Sequence, residues 1–165
     1  MRFCILILTI FLVPQVSFAK DSLEIISAEI VCQESDHPRK KYDYRVGVVV
    51  KNISSQDVTL ITGRLSPGIS LTGEGDFQQV ILQYVPAVSV EGDPLIPSAS
   101  DLKLVHLKPG EATGFHYTKR SKFYLTDPIV MYAIEDMFDG RFGNWTGRIA
   151  SIPVAVDHKE SCSLQ

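Results

Sequence analysis

The sequence predicts an all-β protein, an antiparallel β-sandwich of about 7–9 strands, on three observations. Apolar and polar residues alternate with a period of two in many short segments, most clearly from Tyr44 to Lys51. Turn-forming residues separate these segments at close spacing. No stretch of the chain beyond its first residues shows the apolar repeat of a convincing helix. Short strands at this spacing favour two packed sheets over a barrel or an α/β fold.

Eight or so segments carry the strand pattern, and we take them in chain order. The first alternates from Ile26 to Cys32, and the second is the Tyr44–Lys51 segment. The others are predicted at 58–61, 77–85, 102–107, 112–119, 129–134 and 148–156.

Two turns resemble those of a known group of domains. Val48-Val49-Val50-Lys51-Asn52, followed by a polar turn and Val58, resembles the strand, Asn, turn, strand signature of bacterial immunoglobulin-like domains. Leu107-Lys108-Pro109-Gly110-Glu111 is similar to their Leu-x-Pro-Gly-Glu turn. The resemblance covers about half of the chain after residue 19, and it implies an immunoglobulin-like sandwich used for adhesion, spacing, assembly or ligand binding. It brings no functional residues with it.

The first 19 residues have the pattern of a cleavable secretory signal peptide. Arg2 precedes an apolar run that ends at Pro14, and Ser17-Phe18-Ala19 offers the small residues at which a signal peptidase cleaves. The run is too short for the roughly 20 residues that a membrane-spanning helix needs. We therefore expect residues 20–165 to form a single exported domain, periplasmic or secreted, with no transmembrane segment after cleavage.

The charge balance argues against two classes of partner. Without Arg2, fifteen Lys and Arg face nineteen Asp and Glu. A mildly acidic chain without a basic stripe is atypical of proteins that bind nucleic acid or an anionic membrane. The one basic cluster, Arg39-Lys40-Lys41, follows His37-Pro38 and is interpreted as a solvated turn.

Signal cleavage leaves two cysteines, Cys32 and Cys162. In an oxidising compartment such a pair normally forms a disulfide, which here would join the first strand to the tail. A structural zinc site is the alternative, because Cys32-x4-His37 and His158-x3-Cys162 have near-suitable spacings. Unpaired thiols are the third possibility.

No catalytic motif is present, so we expect neither an enzyme nor a cofactor. The chain lacks a Gly-x-Ser-x-Gly elbow, a phosphate loop, a His-Glu-x-x-His helix and a Cys-x-x-Cys pair. His106 and His116 flank the Pro-Gly turn. A hairpin there would point them to opposite faces of one sheet, whereas a crossover between sheets would leave their relation open.

Function in a sandwich is usually carried by exposed loops, and two of them are unusual here. Residues 86–100 form a long, proline-containing apolar segment. The tip Phe138–Trp145 concentrates aromatic residues and an arginine around Asp139-Gly140, and its candidate partner-binding residues are Phe138, Arg141, Phe142 and Trp145. The same residue types also fill sandwich cores, so core packing is the competing interpretation of the tip.

The sequence thus indicates a non-catalytic binding or accessory module that recognises a protein or glycan partner through its loops. A structural spacer in an envelope assembly and a hydrolase with an unrecognised site are the alternatives. Asn52 and Asn144 both stand in glycosylation sequons, whose use depends on the source organism.

Overall fold

The computed structural model describes residues 22–71, 78–84, 97–135, 140–159 and 162. The predicted signal peptide at residues 1–19 lies outside them, as does most of the 86–100 loop. Within the described ranges there are ten strands and one short helix. They are β1 (Leu23–His37), β2 (Lys40–Asn52), β3 (Val58–Ile61), β4 (Leu65–Leu71), β5 (Gln78–Tyr84), α1 (Ala99–Leu102), β6 (Leu104–Leu107), β7 (Ala112–Ser121), β8 (Ile129–Ile134), β9 (Gly147–Pro153) and β10 (Val156–His158).

The strands form three sheets that pack as a sandwich, which confirms the predicted all-β class. The strand orders are β10-β1-β2-β7, β4-β5-β8-β9 and the small pair β3-β6. Most neighbours are antiparallel, but β1 pairs with β10 and β5 pairs with β8 in parallel. The parallel pairs are possible because long stretches of chain connect their members.

Two strands were not predicted, and each has a physical reason. β4 contains Pro67 and Gly68, which weaken a strand signal, but β4 is an edge strand, where a proline costs little pairing. The predicted segment 148–156 divides into β9 and β10 because the chain passes from one large sheet to the other at Val154–Ala155.

The core lies between the inner faces of the two four-stranded sheets. β2 buries alternate residues from Tyr42 to Val50, with Tyr44, Val46 and Val50 fully buried. β5 and β8 bury their own alternate residues from the facing sheet: Val80, Leu82, Tyr84, Val130, Tyr132 and Ile134. Removing this apolar surface from water is the main term that holds the sheets together.

β6 pairs with β3 rather than with β7, so the Pro-Gly turn connects two sheets. Thr59 faces His106 across the β3–β6 pair, and the Thr59 hydroxyl lies 2.8 Å from His106 Nδ1. His116 lies opposite Gly47 in the other sheet. The two histidines are therefore in different sheets, and the crossover is the arrangement that the structure shows.

Asn52 is a buried polar residue that joins two turns. Its Nδ2 donates to the carbonyls of Gln56 at 2.7 Å and Leu107 at 3.0 Å, and its Oδ1 accepts from the Ser54 amide at 2.9 Å. Its backbone amide donates to Glu111 O at 2.9 Å. With 0% of its surface exposed, the Asn52 side chain cannot carry a glycan in this fold.

We expect Asn52→Ala to lower the free energy of unfolding by about 2–4 kcal/mol, because buried carbonyls lose their donors. Urea unfolding followed by tryptophan fluorescence measures the change. Ser55→Ala, an exposed change in the same turn, is the control and should stay within about 0.5 kcal/mol. Equal stability of the two variants would show that the Asn52 bonds contribute nothing.

Candidate ligand-binding cleft

The predicted partner-binding residues of the Phe138–Trp145 tip have unequal exposure. Phe138 lies outside the described residues. Arg141 is exposed, Phe142 is half-buried against the core, and Trp145 is buried with 5% of its surface exposed. Of the three described side chains, Arg141 presents the most surface to a partner.

Trp145 is tied into the core through its ring and its backbone. The indole stacks on Tyr132 with ring centroids 5.7 Å apart, and the Trp145 amide donates to Thr59 O at 2.8 Å. Gly147, at φ 143°, lies so close that a Cβ there would stand 2.9 Å from the indole. The backbone of Gly147 therefore covers one side of the Trp145 indole.

We expect Trp145→Ala to lower the free energy of unfolding by about 3–5 kcal/mol, because it leaves a cavity beside Tyr132. Arg141→Ala should change stability by less than about 0.5 kcal/mol. Denaturant titration of both variants, followed by far-UV circular dichroism, measures this difference. A Trp145→Ala protein as stable as the parent would mean that the indole is available for binding.

Cys32 and Cys162 form the predicted disulfide, with their Cα atoms 5.9 Å apart. The bridge joins residues 130 positions apart, at the point where β1 pairs with β10. His158 Nδ1 lies 3.6 Å from Cys162 Sγ, and the His158 ring stacks on Tyr124 at 4.5 Å.

Of the four ligands in the alternative zinc interpretation, the structure brings together Cys32, His158 and Cys162. His37 lies apart from them, where its Nδ1 accepts a hydrogen bond from the Arg39 amide at 3.2 Å. Sulfurs bonded to each other have no thiolate to give a metal, so the disulfide and the zinc site exclude one another.

A basic cleft of about 610 Å³ lies at one end of the sandwich. The β1–β2 turn supplies one wall, the end of β7 and the following loop supply the second, and β4 of the facing sheet supplies the third. The lining residues are His37, Arg39, Lys40, Gly68, Ile69, Lys119, Arg120, Ser121, Lys122 and Phe123. Five of these ten carry a lysine or arginine charge, and none is acidic.

The pairing register brings the two basic segments together. β1 turns into β2 with His37 opposite Lys40, and β2 then places Tyr44 opposite Lys119 of β7. The register thus brings two segments about 80 positions apart in sequence to the same end of one sheet, residues 39–40 and 119–122. The charges are concentrated by the fold, in a chain whose net charge is negative.

Four of the five cations have no ion pair within the described part of the chain. Arg120 Nε lies 3.2 Å from Asp43 Oδ1, which makes Arg120 the exception. Lys122 lies over the Phe123 ring, with its Nζ 5.0 Å from the ring centroid. The unpaired cations, Arg39, Lys40, Lys119 and Lys122, leave an uncompensated positive field in a concave site, where it attracts anions most effectively.

The loop that carries Lys122 and Phe123 is fixed by hydrogen bonds from both sheets. The Tyr44 hydroxyl donates to Phe123 O at 3.0 Å and accepts from the Leu125 amide at 2.9 Å. Gln78 of β5 holds the same loop from the facing sheet, through Nε2 to Tyr124 O at 2.9 Å and Oε1 to the Thr126 amide at 2.8 Å. The cleft wall is therefore anchored to both sheets.

The sequence predicts a solvated turn at Arg39-Lys40-Lys41, whereas the structure brings this turn together with the basic segment Lys119-Arg120-Ser121-Lys122, for which the sequence predicts no role. The sequence does contain one indication of the cleft, because both basic clusters lie next to the ends of predicted strands. Without the register, nothing in the sequence showed that these ends meet.

Comparison with protein-family models, with curated proteins and with solved structures finds no match to this chain. The resemblance to immunoglobulin-like domains therefore stays a prediction. In the part of the chain that the structure describes, no helix has the length and apolar character to cross a membrane.

Proposed function

We propose that this chain is an exported, non-catalytic binding module that recognises an acidic glycan in its basic cleft. The observation that carries the proposal is the group of four cations without ion pairs around one concave site. Lysine and arginine donate charge-assisted hydrogen bonds to carboxylates and sulfates, and arginine can do so with two parallel bonds. Such groups recur along an acidic polysaccharide.

The lining of the cleft favours a glycan over an acidic protein segment. Phe123 and Ile69 add apolar surface among the cations, suited to the apolar faces of sugar rings. The cleft volume of about 610 Å³ can hold a short oligomer.

Binding fits the lining of the cleft better than catalysis does. General acid–base chemistry needs a pair of groups that exchange protons at the reacting atoms. Among the described lining residues there is no carboxylate, and His37 Nδ1 already accepts the Arg39 amide. The buried Ser121 hydroxyl accepts from the Phe123 amide at 2.9 Å, which supports the loop.

Export is part of the proposal. The signal-like residues 1–19 support it, and so does the Cys32–Cys162 disulfide, because such bonds persist in oxidising compartments. Both features support a periplasmic or secreted location.

The Phe138–Trp145 tip is a second proposed contact surface, supported by the exposed Arg141 guanidinium. The tip follows the end of β8 at Ile134, whereas the cleft lies next to the loop before its start at Ile129. The described part of the tip, residues 140–145, and the cleft thus lie at opposite ends of the sandwich. A partner held at the tip would leave the cleft open.

Calorimetric titration with an oligogalacturonate, a carboxylated glycan, tests the proposal. Lys119→Ala/Lys122→Ala should lower the affinity by about 10- to 100-fold, because two charge-assisted contacts are lost. The control Arg45→Ala/Lys108→Ala removes the same charge from exposed sites elsewhere and should change the affinity by less than about 2-fold. The affinity of the parent should also fall as salt is raised.

Equal loss in both double variants would contradict a specific cleft. Tighter binding of polyglutamate than of the oligogalacturonate would replace the glycan by an acidic protein segment. Equally tight binding of single-stranded DNA would mean unselective capture of polyanions. No binding of any of these at low salt would overturn the proposal.

A further inference from the structure

The first half of β1 has an open edge. β2 pairs with β1 on one side from Leu23 onward, but on the other side β10 covers only Ile30, Val31 and Cys32. Within the described residues, no strand pairs with the outer side of Leu23–Glu29. A β-bulge between Ile25 and Ser27 interrupts this stretch of β1.

β9 has an open edge that faces the same space. β9 is the last strand of its sheet, with β8 on its inner side. The chain leaves β9 at Pro153, crosses at Val154–Ala155 and joins β1 as β10. β1 and β9 therefore lie next to each other, and β10 connects them where it joins β1.

A groove of about 830 Å³ lies between β1 and β9. Its lining includes two of the three large apolar side chains that the described residues expose, Ile26 at 49% and Ile152 at 83%. Ala150, Pro153 and Ala155 extend this apolar surface. An exposed apolar strip beside an unpaired strand edge is a template for the addition of another strand.

The groove has the opposite charge to the basic cleft. Its titratable lining residues are Glu24, Glu29 and Asp157, and no lysine, arginine or histidine stands among the described lining residues. None of the three carboxylates takes part in an ion pair within the described ranges. An incoming segment with basic side chains would compensate these charges.

We propose that the groove receives an extended segment of a partner protein, in which basic and apolar side chains alternate, and that this segment adds as a strand to the edge of β1. The backbone groups on this edge supply the ladder, as Cys32 O already does for the Lys159 amide at 3.2 Å. The apolar side chains of the segment pack on Ile26 and Ile152, and its basic side chains face the exposed Glu24. The inference is independent of the glycan proposed for the cleft.

A second copy of the chain fits the groove less well. Two copies that face each other across this groove would bring together the carboxylates of Glu24, Glu29 and Asp157 from both chains. Like charges at facing positions of a ladder are destabilising. The acidic lining thus favours a basic partner strand over self-association.

The test uses a fluorescein-labelled peptide of four Lys-Val repeats and the full domain, with binding followed by fluorescence anisotropy. Binding is expected to protect from hydrogen exchange those backbone amides of residues 23–29 that point away from β2. A four-repeat Glu-Val peptide and a Lys-Val peptide with two central prolines are the controls, and each should bind at least about tenfold more weakly.

Three variants locate the site. Ile26→Ser/Ile152→Ser should weaken binding of the Lys-Val peptide by about tenfold or more, through lost apolar contact. Ile53→Ser, which replaces the third exposed isoleucine outside the groove, should leave binding unchanged. Glu24→Gln/Glu29→Gln, which preserves shape, should also weaken binding and reduce its salt dependence.

Equal affinity for the proline-containing peptide, or protection elsewhere than residues 23–29, would overturn strand addition. Sedimentation velocity that shows a dimer lost on Ile26→Ser/Ile152→Ser would assign the groove to a second copy and overturn the proposal. Since the cleft variants do not touch this groove, glycan binding can fail while peptide binding succeeds, and the reverse.

Discussion

Two tyrosine hydroxyls buried in the core fix the 123–125 loop and strand β3. Tyr44 and Tyr132 lie on facing sheets with 0% exposure, and each hydroxyl bonds to the backbone of a segment outside its own sheet. Tyr44 bonds the loop at Phe123 and Leu125, and Tyr132 donates to Ile61 O at 2.7 Å. Burial raises the pKa of Tyr44 to about 12, although the hydrogen bond from the Leu125 amide acts in the opposite direction. The phenol therefore stays neutral at physiological pH and keeps its proton to donate. The two tyrosine side chains that fill the core thus also hold the 123–125 loop and strand β3 in place.

This arrangement links packing to the proposed recognition. Lysine side chains lose conformational freedom when a ligand holds them, so a cleft whose backbone is already fixed loses less on binding. The Tyr44 and Gln78 bonds fix the wall that carries Lys122 and Phe123, and the Cys32–Cys162 bridge holds β10 against β1. The same crossing that places β10 on β1 brings β9 next to β1, and the acidic groove lies between them. The strand topology therefore accounts for the positions of both the basic cleft and the acidic groove.

Much of the fold could be predicted because it depends on local patterns. The alternation from Tyr44 to Val50 predicts a strand with one buried face, and the count of two cysteines after cleavage predicts the Cys32–Cys162 bond. What local patterns do not contain is the pairing. Lys119 lies by the β1–β2 turn only through the register of β7 on β2, and β4 is a strand despite Pro67 because it lies at an edge. The Phe138–Trp145 tip shows the same limit. Its aromatic composition is equally typical of partner binding and of core packing, and the structure shows Trp145 buried.

Tyr44→Phe tests most directly whether buried tyrosine hydroxyls preorganise the cleft. The variant keeps the ring and removes both hydrogen bonds to the 123–125 loop. Tyr132→Phe is the matched control, because it removes one buried bond, to Ile61 O, that does not involve that loop. We predict that Tyr44→Phe speeds hydrogen exchange of the Leu125 amide and lowers oligogalacturonate affinity by about tenfold. Tyr132→Phe should change neither, while the β2 amides stay protected in both variants. Unchanged exchange at Leu125, or faster exchange with undiminished affinity, would contradict the account.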